Sequence, residues 1–179
     1  MKRGYALAFF VLITALVAAC LPVLCIEGGF VQATGKEFDS ALPKDFYLEG
    51  NAIPTEKRNA ALLKTPGGAR VLFALIDTTG YSSEIKKKYI GMVIAEGAVS
   101  VCGNALGVGS YGFGLDKPAA TSDADATFFL YNQAGEKAAE CAAKKDTQLK
   151  LPRPLQVVLK KGEPARLYLG RYWLELAGH

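Results

Sequence analysis

Short apolar runs recur along this chain, each closed by a cluster of Gly, Pro or Asn, and few of them show helical spacing. Asp45-Phe-Tyr-Leu-Glu49 reads as a first strand. Asn59–Lys64 and Arg70–Ile76 flank Thr65-Pro-Gly-Gly68, where proline presets φ and the glycines accept positive φ, so this pair reads as a hairpin. Val71–Ile76 is apolar throughout, which predicts a central strand covered on both faces. Met92–Ala95 and Val99–Cys102 suggest a second hairpin across Glu96-Gly97. Thr127–Tyr131 and Ala138–Lys145 suggest a third across Asn132–Gly135; the alanines of the latter favour helix, but its place after a turn favours strand. Near the end, Leu155–Leu159 and Ala165–Leu169 flank Lys160–Pro164, and Arg171–Leu176 follows Gly170. The one helical pattern is Ser82–Tyr89, with a serine to cap it and Ile85 and Tyr89 on one face. Closely spaced turn signals between such runs predict a mainly β fold: an antiparallel β-sandwich or partly open barrel with one short helix. The expected organisation is a single β-domain over 45–179 behind a flexible lead-in, 34–44.

The N-terminus has a different pattern. After Lys2 and Arg3, no charged residue occurs from Gly4 to Ile26, as in an export signal. The run is also long enough to span a bilayer, so 1–33 reads as a signal peptide or a membrane anchor. Two cleavage sites compete. Val31-Gln-Ala33 has the small-x-small form of a signal-peptidase site, and Val17-Ala-Ala-Cys20 resembles a bacterial lipobox, which makes Cys20 a lipidation candidate. Cysteine arithmetic favours Ala33, because that cut leaves only Cys102 and Cys141, whereas a cut before Cys20 retains Cys25 as an odd thiol. The expected location is periplasmic or extracellular, with or without a lipid anchor. There Cys102 and Cys141 would close a disulfide.

Charge narrows the partners. The formal net charge is only +4, and the sole run of three basic residues, Lys86-Lys-Lys88, suits a solvated helix face. Nucleic acid is therefore not expected, and contact with a membrane is expected only through the N-terminal segment. A small molecule, a glycan or a protein remains as the partner.

Two segments imitate nucleotide and protease motifs. Leu106-Gly-Val-Gly-Ser-Tyr-Gly-Phe-Gly114 resembles the glycine-rich loop of protein kinases, and Gly107, Gly109 and Gly112 also match G-x-G-x-x-G. No H-R-D or D-F-G accompanies it, and Asp116-Lys-Pro118 does not open a helix in register for a dinucleotide site. As a strand, the segment would place Tyr111, Phe113 and Leu115 on one face and a nearly bare Ser110, Gly112 and Gly114 on the other. That suits close packing, or else a ligand groove. Ala74-Leu-Ile-Asp-Thr-Thr-Gly80 resembles both the D-x-x-G of GTPases and the A-L-I-D-T-G-A of retroviral-type aspartic proteases. However, no P-loop is present, and Thr79 is inserted before the glycine. Asp77 is expected to satisfy turn amides instead.

His179 is the only histidine and the last residue, so Ser-His-Asp, Cys-His and His-based metal sites are not expected, nor is any cofactor. The chemistry left to an enzyme is a carboxylate pair drawn from Asp77, Glu84, Glu96, Asp116, Asp123 and Asp125, or a Ser–Lys pair using Ser82 or Ser110. Asp123 and Asp125 could also join a calcium loop, but the EF-hand pattern is missing. The aromatics are more suggestive. Tyr111 and Phe113, with Tyr168, Tyr172 and Trp173, could form a platform for a sugar ring or a peptide. Trp173 alternates onto a face with Arg171 and Glu175. The candidate ligand-binding residues are Tyr111, Gly112, Phe113 and Trp173. The expected function is a non-catalytic role in ligand binding, partner binding or structure, in an exported envelope domain. The alternatives are a small secreted hydrolase, or a factor that offers an edge strand to a partner.

Overall fold

The structure is a computed structural model that describes residues 29–119 and 121–178. Its strands are β1 (Val31–Ala33), β2 (Asp45–Leu48), β3 (Asn51–Lys64), β4 (Arg70–Ile76), β5 (Gly91–Ala95), β6 (Val99–Val101), β7 (Asn104–Leu106), β8 (Gly109–Asp116), β9 (Ala126–Tyr131), β10 (Lys137–Lys145), β11 (Gln156–Val158), β12 (Ala165–Leu169) and β13 (Tyr172–Gly178); the helices are α1 (Lys36–Ala41) and α2 (Ser83–Lys88). The strands form one antiparallel sheet in the order β1-β3-β4-β5-β8-β9-β10-β13-β12-β11, with β2 added to β3, and β6 to β13 and β7. The sheet curls into a half-barrel.

Period-two patterning sorts the side chains of the middle strands onto two faces. Along β4, Val71 and Phe73 join one buried cluster while Leu72, Ala74 and Ile76 join another. The first cluster fills the inside of the curl. Leu63, Phe73, Val93, Phe113 and Phe128 from the middle strands meet Leu167, Leu174 and Leu176 from the C-terminal strands, and Val99 and Val101 from β6. The second cluster lies on the opposite face, where Leu48 and Ile53 of the β2–β3 hairpin and Ile85 and Tyr89 of the α2 segment cover Leu62, Leu72 and Met92. Val71–Ile76 is thus a strand covered on both faces, as its unbroken apolar run predicts.

The hairpin at Thr65–Gly68 forms with Lys64 opposite Arg70, and Gly68 adopts φ 86°. The β9–β10 hairpin also forms, so Ala138–Lys145 is strand rather than helix. Ser82 caps α2, its hydroxyl accepting from the Ile85 N–H at 3.3 Å.

Other expectations change. Met92–Ala95 and Val99–Cys102 do not form a hairpin. Both edges of β5 are taken, by β4 and β8, so β6 pairs with β13 and β7 instead. The structure has two helices rather than one, because the lead-in contains α1. Phe38, Ala41 and Leu42 pack on the second cluster, and Glu37 and Asp39 pair with Lys64 and Lys57 of β3. Upstream of α1, Val31–Ala33 pairs with Leu62–Lys64, and Phe30 is buried. Among the described residues no helix is long and apolar enough to cross a membrane. Residues 1–28, including Cys20 and Cys25, and His179 lie outside the described residues.

Candidate functional site

The glycine-rich segment is strand β8, between β5 and β9. A side chain at Gly112 would meet the Tyr89 ring at 2.7 Å and Leu48 at 3.0 Å, and one at Gly114 would collide with the Lys88 carbonyl. At Gly112 and Gly114 the bare face of β8 is therefore filled by the α2 segment and the β2 hairpin. On the other face Phe113 is fully buried against Phe128, their ring centroids 5.5 Å apart. Tyr111 is half-buried, and its hydroxyl donates to the Gly107 carbonyl at 3.3 Å.

Over this strand lies a polar cluster. The Glu49 carboxylate accepts from Lys88 Nζ at 2.5 Å and from the Tyr89 hydroxyl at 2.6 Å, and Lys88 Nζ also donates to the Gly135 carbonyl at 2.6 Å. The ammonium sits 4.9 Å from the Tyr131 ring centroid. Its hydrogen bond from Lys88, and then that from Tyr89, hold the Glu49 carboxyl below its ordinary range. Burial, reinforced by Glu49, pushes the Tyr89 phenol up. The cluster ties the β2–β3 turn, α2 and the β9–β10 turn together. No spacing rule pairs Glu49 with a lysine 39 residues away.

Trp173 stands elsewhere. It faces Lys144 of β10 on one side and Tyr168 of β12 on the other. Lys144 Nζ lies 5.2 Å from its ring centroid and the Arg166 guanidinium 4.3 Å. Tyr168 is buried, and its hydroxyl donates to Asp146 at 2.9 Å. Burial first, then that bond, raises its pKa. Leu174 points the opposite way, into the core. Trp173 thus anchors a cationic-aromatic row on the outside of the half-barrel, as its alternation with Arg171 and Glu175 predicts.

Beside this row, β13 exchanges β10 for β6 as its neighbour, and the two neighbours separate. The Cys102–Cys141 disulfide crosses that gap. Cys102 reaches it from a left-handed conformation, φ 49°, with its N–H donating to the Glu175 carbonyl at 2.8 Å. Disulfide, Trp173, Lys144, Gly103 and Glu175 enclose a hollow of about 380 Å³.

The four candidate ligand-binding residues do not converge. Phe113 is core, Gly112 is covered, Tyr111 lines a shallow depression with Asn132 and Gln133, and only Trp173 borders the hollow by the disulfide. Adjacency within a strand says nothing about which covering element fills the space above it.

Four of the six candidate carboxylates are drawn into structure, while Glu84 sits in the first turn of α2 and Asp116 at the end of β8. Asp77 accepts from the Thr79 N–H at 2.9 Å, and the Thr79 hydroxyl first, then this N–H, lowers its pKa. Glu96 forms a two-point pair with Arg70, at 2.7 and 2.5 Å. Asp123 pairs with Lys145 Nζ at 3.0 Å, and Asp125 accepts from the Lys145 N–H at 2.9 Å. Ser82 is a helix cap, and the depression at Ser110 has no lysine in its lining.

The chain matches no protein-family model, no curated protein and no solved structure.

Proposed function

We propose that this chain is an exported, non-catalytic binding domain of the bacterial-type envelope, and that its ligand or protein partner docks at the hollow beside Trp173. The observation that supports this reading most is that Trp173 and Lys144 line a disulfide-bordered hollow, with the Arg166 guanidinium 4.3 Å from the indole ring centroid. A half-exposed tryptophan with cationic neighbours suits the ring of an acidic sugar or an aromatic, acidic peptide. Asp77, Glu96, Asp123, Asp125 and Ser82, groups that a hydrolase would draw on, are engaged as turn ties, ion pairs and a helix cap. Trp173 is the only tryptophan, so its fluorescence reports the site directly. Titration with acidic glycan fragments and acidic peptides should quench or shift the emission, and Lys144→Ala should weaken the response. Turnover of a glycan, ester or peptide substrate that is lost in Asp77→Asn would favour the hydrolase and overturn this reading.

The export reading extends to processing. A cut after Ala33 would remove β1, whose register covers Leu62–Lys64, and the buried Phe30. We infer that cleavage occurs upstream of Gly29, with Cys20 as the lipidated N-terminus. Intact mass of the envelope form should match a chain from Cys20 carrying two or three acyl groups. A mass starting at Thr34 would refute it.

A further inference from the structure

We propose a second binding site, for a phosphate group, between the bulge of β3 and the start of β11. It is independent of the Trp173 hollow. Along β3 the register runs from Thr55 opposite Ile76 to Ala60 opposite Ala74, so Glu56–Asn59 bow out of the ladder. The bow carries Arg58 to a hollow of about 250 Å³ that it shares with Arg153, Gln156 and Gln32. Arg153 arrives on the segment leading into β11, where its carbonyl and that of Pro154 accept from the Gly170 N–H at 3.1 and 3.2 Å. The lining contains no Asp or Glu. The nearest acidic neighbour in sequence, Glu56, accepts from the Asn59 side-chain amide at 2.6 Å. Among the described residues, no carboxylate lies within 4.0 Å of the Arg58 or Arg153 guanidinium.

Two features make this an anion site rather than a chance gathering of surface arginines. The first is the electrostatics: two like charges share a small hollow with nothing to neutralise them, and a bound anion would turn mutual repulsion into two charge-assisted interactions. The second is Gln156. Its Nε2 is buried with no hydrogen-bond partner, alone among buried side-chain nitrogen and oxygen atoms of the described residues. A buried donor left unmade costs free energy, and Gln156, which lines the hollow, can recover that bond by turning its amide toward a bound oxyanion. The donors come from three chain segments: the bulge, the incoming loop and β11. A tetrahedral phosphate can offer an oxygen to each, whereas a flat carboxylate has only two. Guanidinium forks also suit phosphate in particular.

The phosphate could belong to a soluble compound or to a lipid headgroup, and the experiment separates them. The full chain, ¹⁵N-labelled and held in neutral detergent micelles, is titrated with inorganic phosphate, with acetate, and with sodium chloride at matched ionic strength. A parallel titration adds phosphatidylglycerol to the micelles. The Nε–Hε signals of Arg58 and Arg153 should shift saturably with phosphate or with the doped micelles. Arg58→Gln and Arg153→Gln should each weaken that binding by about tenfold or more. Both side chains are exposed, so the variants should keep the wild-type circular dichroism spectrum. Saturation by free phosphate supports a soluble source, and saturation only by doped micelles supports a lipid source. The proposal is overturned if acetate binds as tightly as phosphate, if chloride reproduces the shifts, or if neither arginine responds.

Discussion

Placing a methyl group on the bare face of β8 tests the packing account of its glycines most directly. In Gly112→Ala the new carbon would stand 2.7 Å from two atoms of the Tyr89 ring and 3.0 Å from Leu48, where ordinary contact begins near 3.4 Å. The ring cannot simply swing away. It is fully buried, its hydroxyl is bonded to Glu49 at 2.6 Å, and its plane meets Tyr131 edge-on with centroids 5.3 Å apart. Overpacking of this kind costs roughly 1–3 kcal/mol, which lowers Tm by roughly 3–10 °C in a domain of this size. Gly114→Ala should cost more, because it meets the backbone carbonyl of Lys88 at the end of α2 rather than a side chain. Gly107→Ala is the control. Its added carbon meets nothing nearer than the Tyr111 hydroxyl at 4.0 Å, so its effect should stay within about 0.5 kcal/mol. Urea unfolding of the three variants, followed by circular dichroism, gives the order Gly107→Ala, Gly112→Ala, Gly114→Ala of rising cost. A neutral Gly112→Ala, or a Gly107→Ala as damaging as the others, would refute the account.

Further outcomes follow from the cross-link and the polar cluster. Cys102 and Cys141 are 39 residues apart, and the chain-entropy account gives such a closure roughly 3–4 kcal/mol. Reduction, or the double substitution Cys102→Ala/Cys141→Ala, should lower the urea midpoint accordingly; an unchanged midpoint would mean that the cross-link constrains little. The Glu49 carboxyl titrates below its ordinary 4.5 in the folded state, so its share of stability is present above that pH and is lost as pH falls through the folded value. Glu49→Gln should therefore lower stability at neutral pH and flatten the acid limb below about pH 4.5, which a series of urea melts would read. At the alkaline end the raised Tyr89 phenol has the opposite sign. Its contribution is intact below pH 10 and declines above it, and Tyr89→Phe should remove that decline.

Most local structure was legible because it rests on short-range rules. Pro66 with Gly67 and Gly68 specifies the β3–β4 turn, Ser82 specifies the start of α2, and the alternation in 171–176 sorts Trp173 outward and Leu174 inward. The candidate site was only partly legible. Trp173 was singled out by its alternation with Arg171 and Glu175, whereas the bare face at Gly112 suited either close packing or a ligand groove, and only the structure shows Tyr89 and Leu48 arriving from distant segments to cover it. The hollow at Trp173 exists because β13 changes partners between Trp173 and Leu176, a feature of sheet order that no local pattern encodes. Arg58, Arg153 and Gln156 carried no motif at all; a bulge and a curl bring them together.

The chain alone determined that strands would dominate, where most of them turn and which of their faces are apolar. These follow from side-chain period and from backbone preferences at Gly and Pro, which act over a few residues. The tertiary structure decided the partner of β6, the half-barrel in place of a sandwich, the helix and strand ahead of Asp45, and the meeting of Glu49 with Lys88 and of Arg58 with Arg153. Those outcomes depend on which distant edge or surface is still free when each strand arrives, and that competition is settled only by the folded whole.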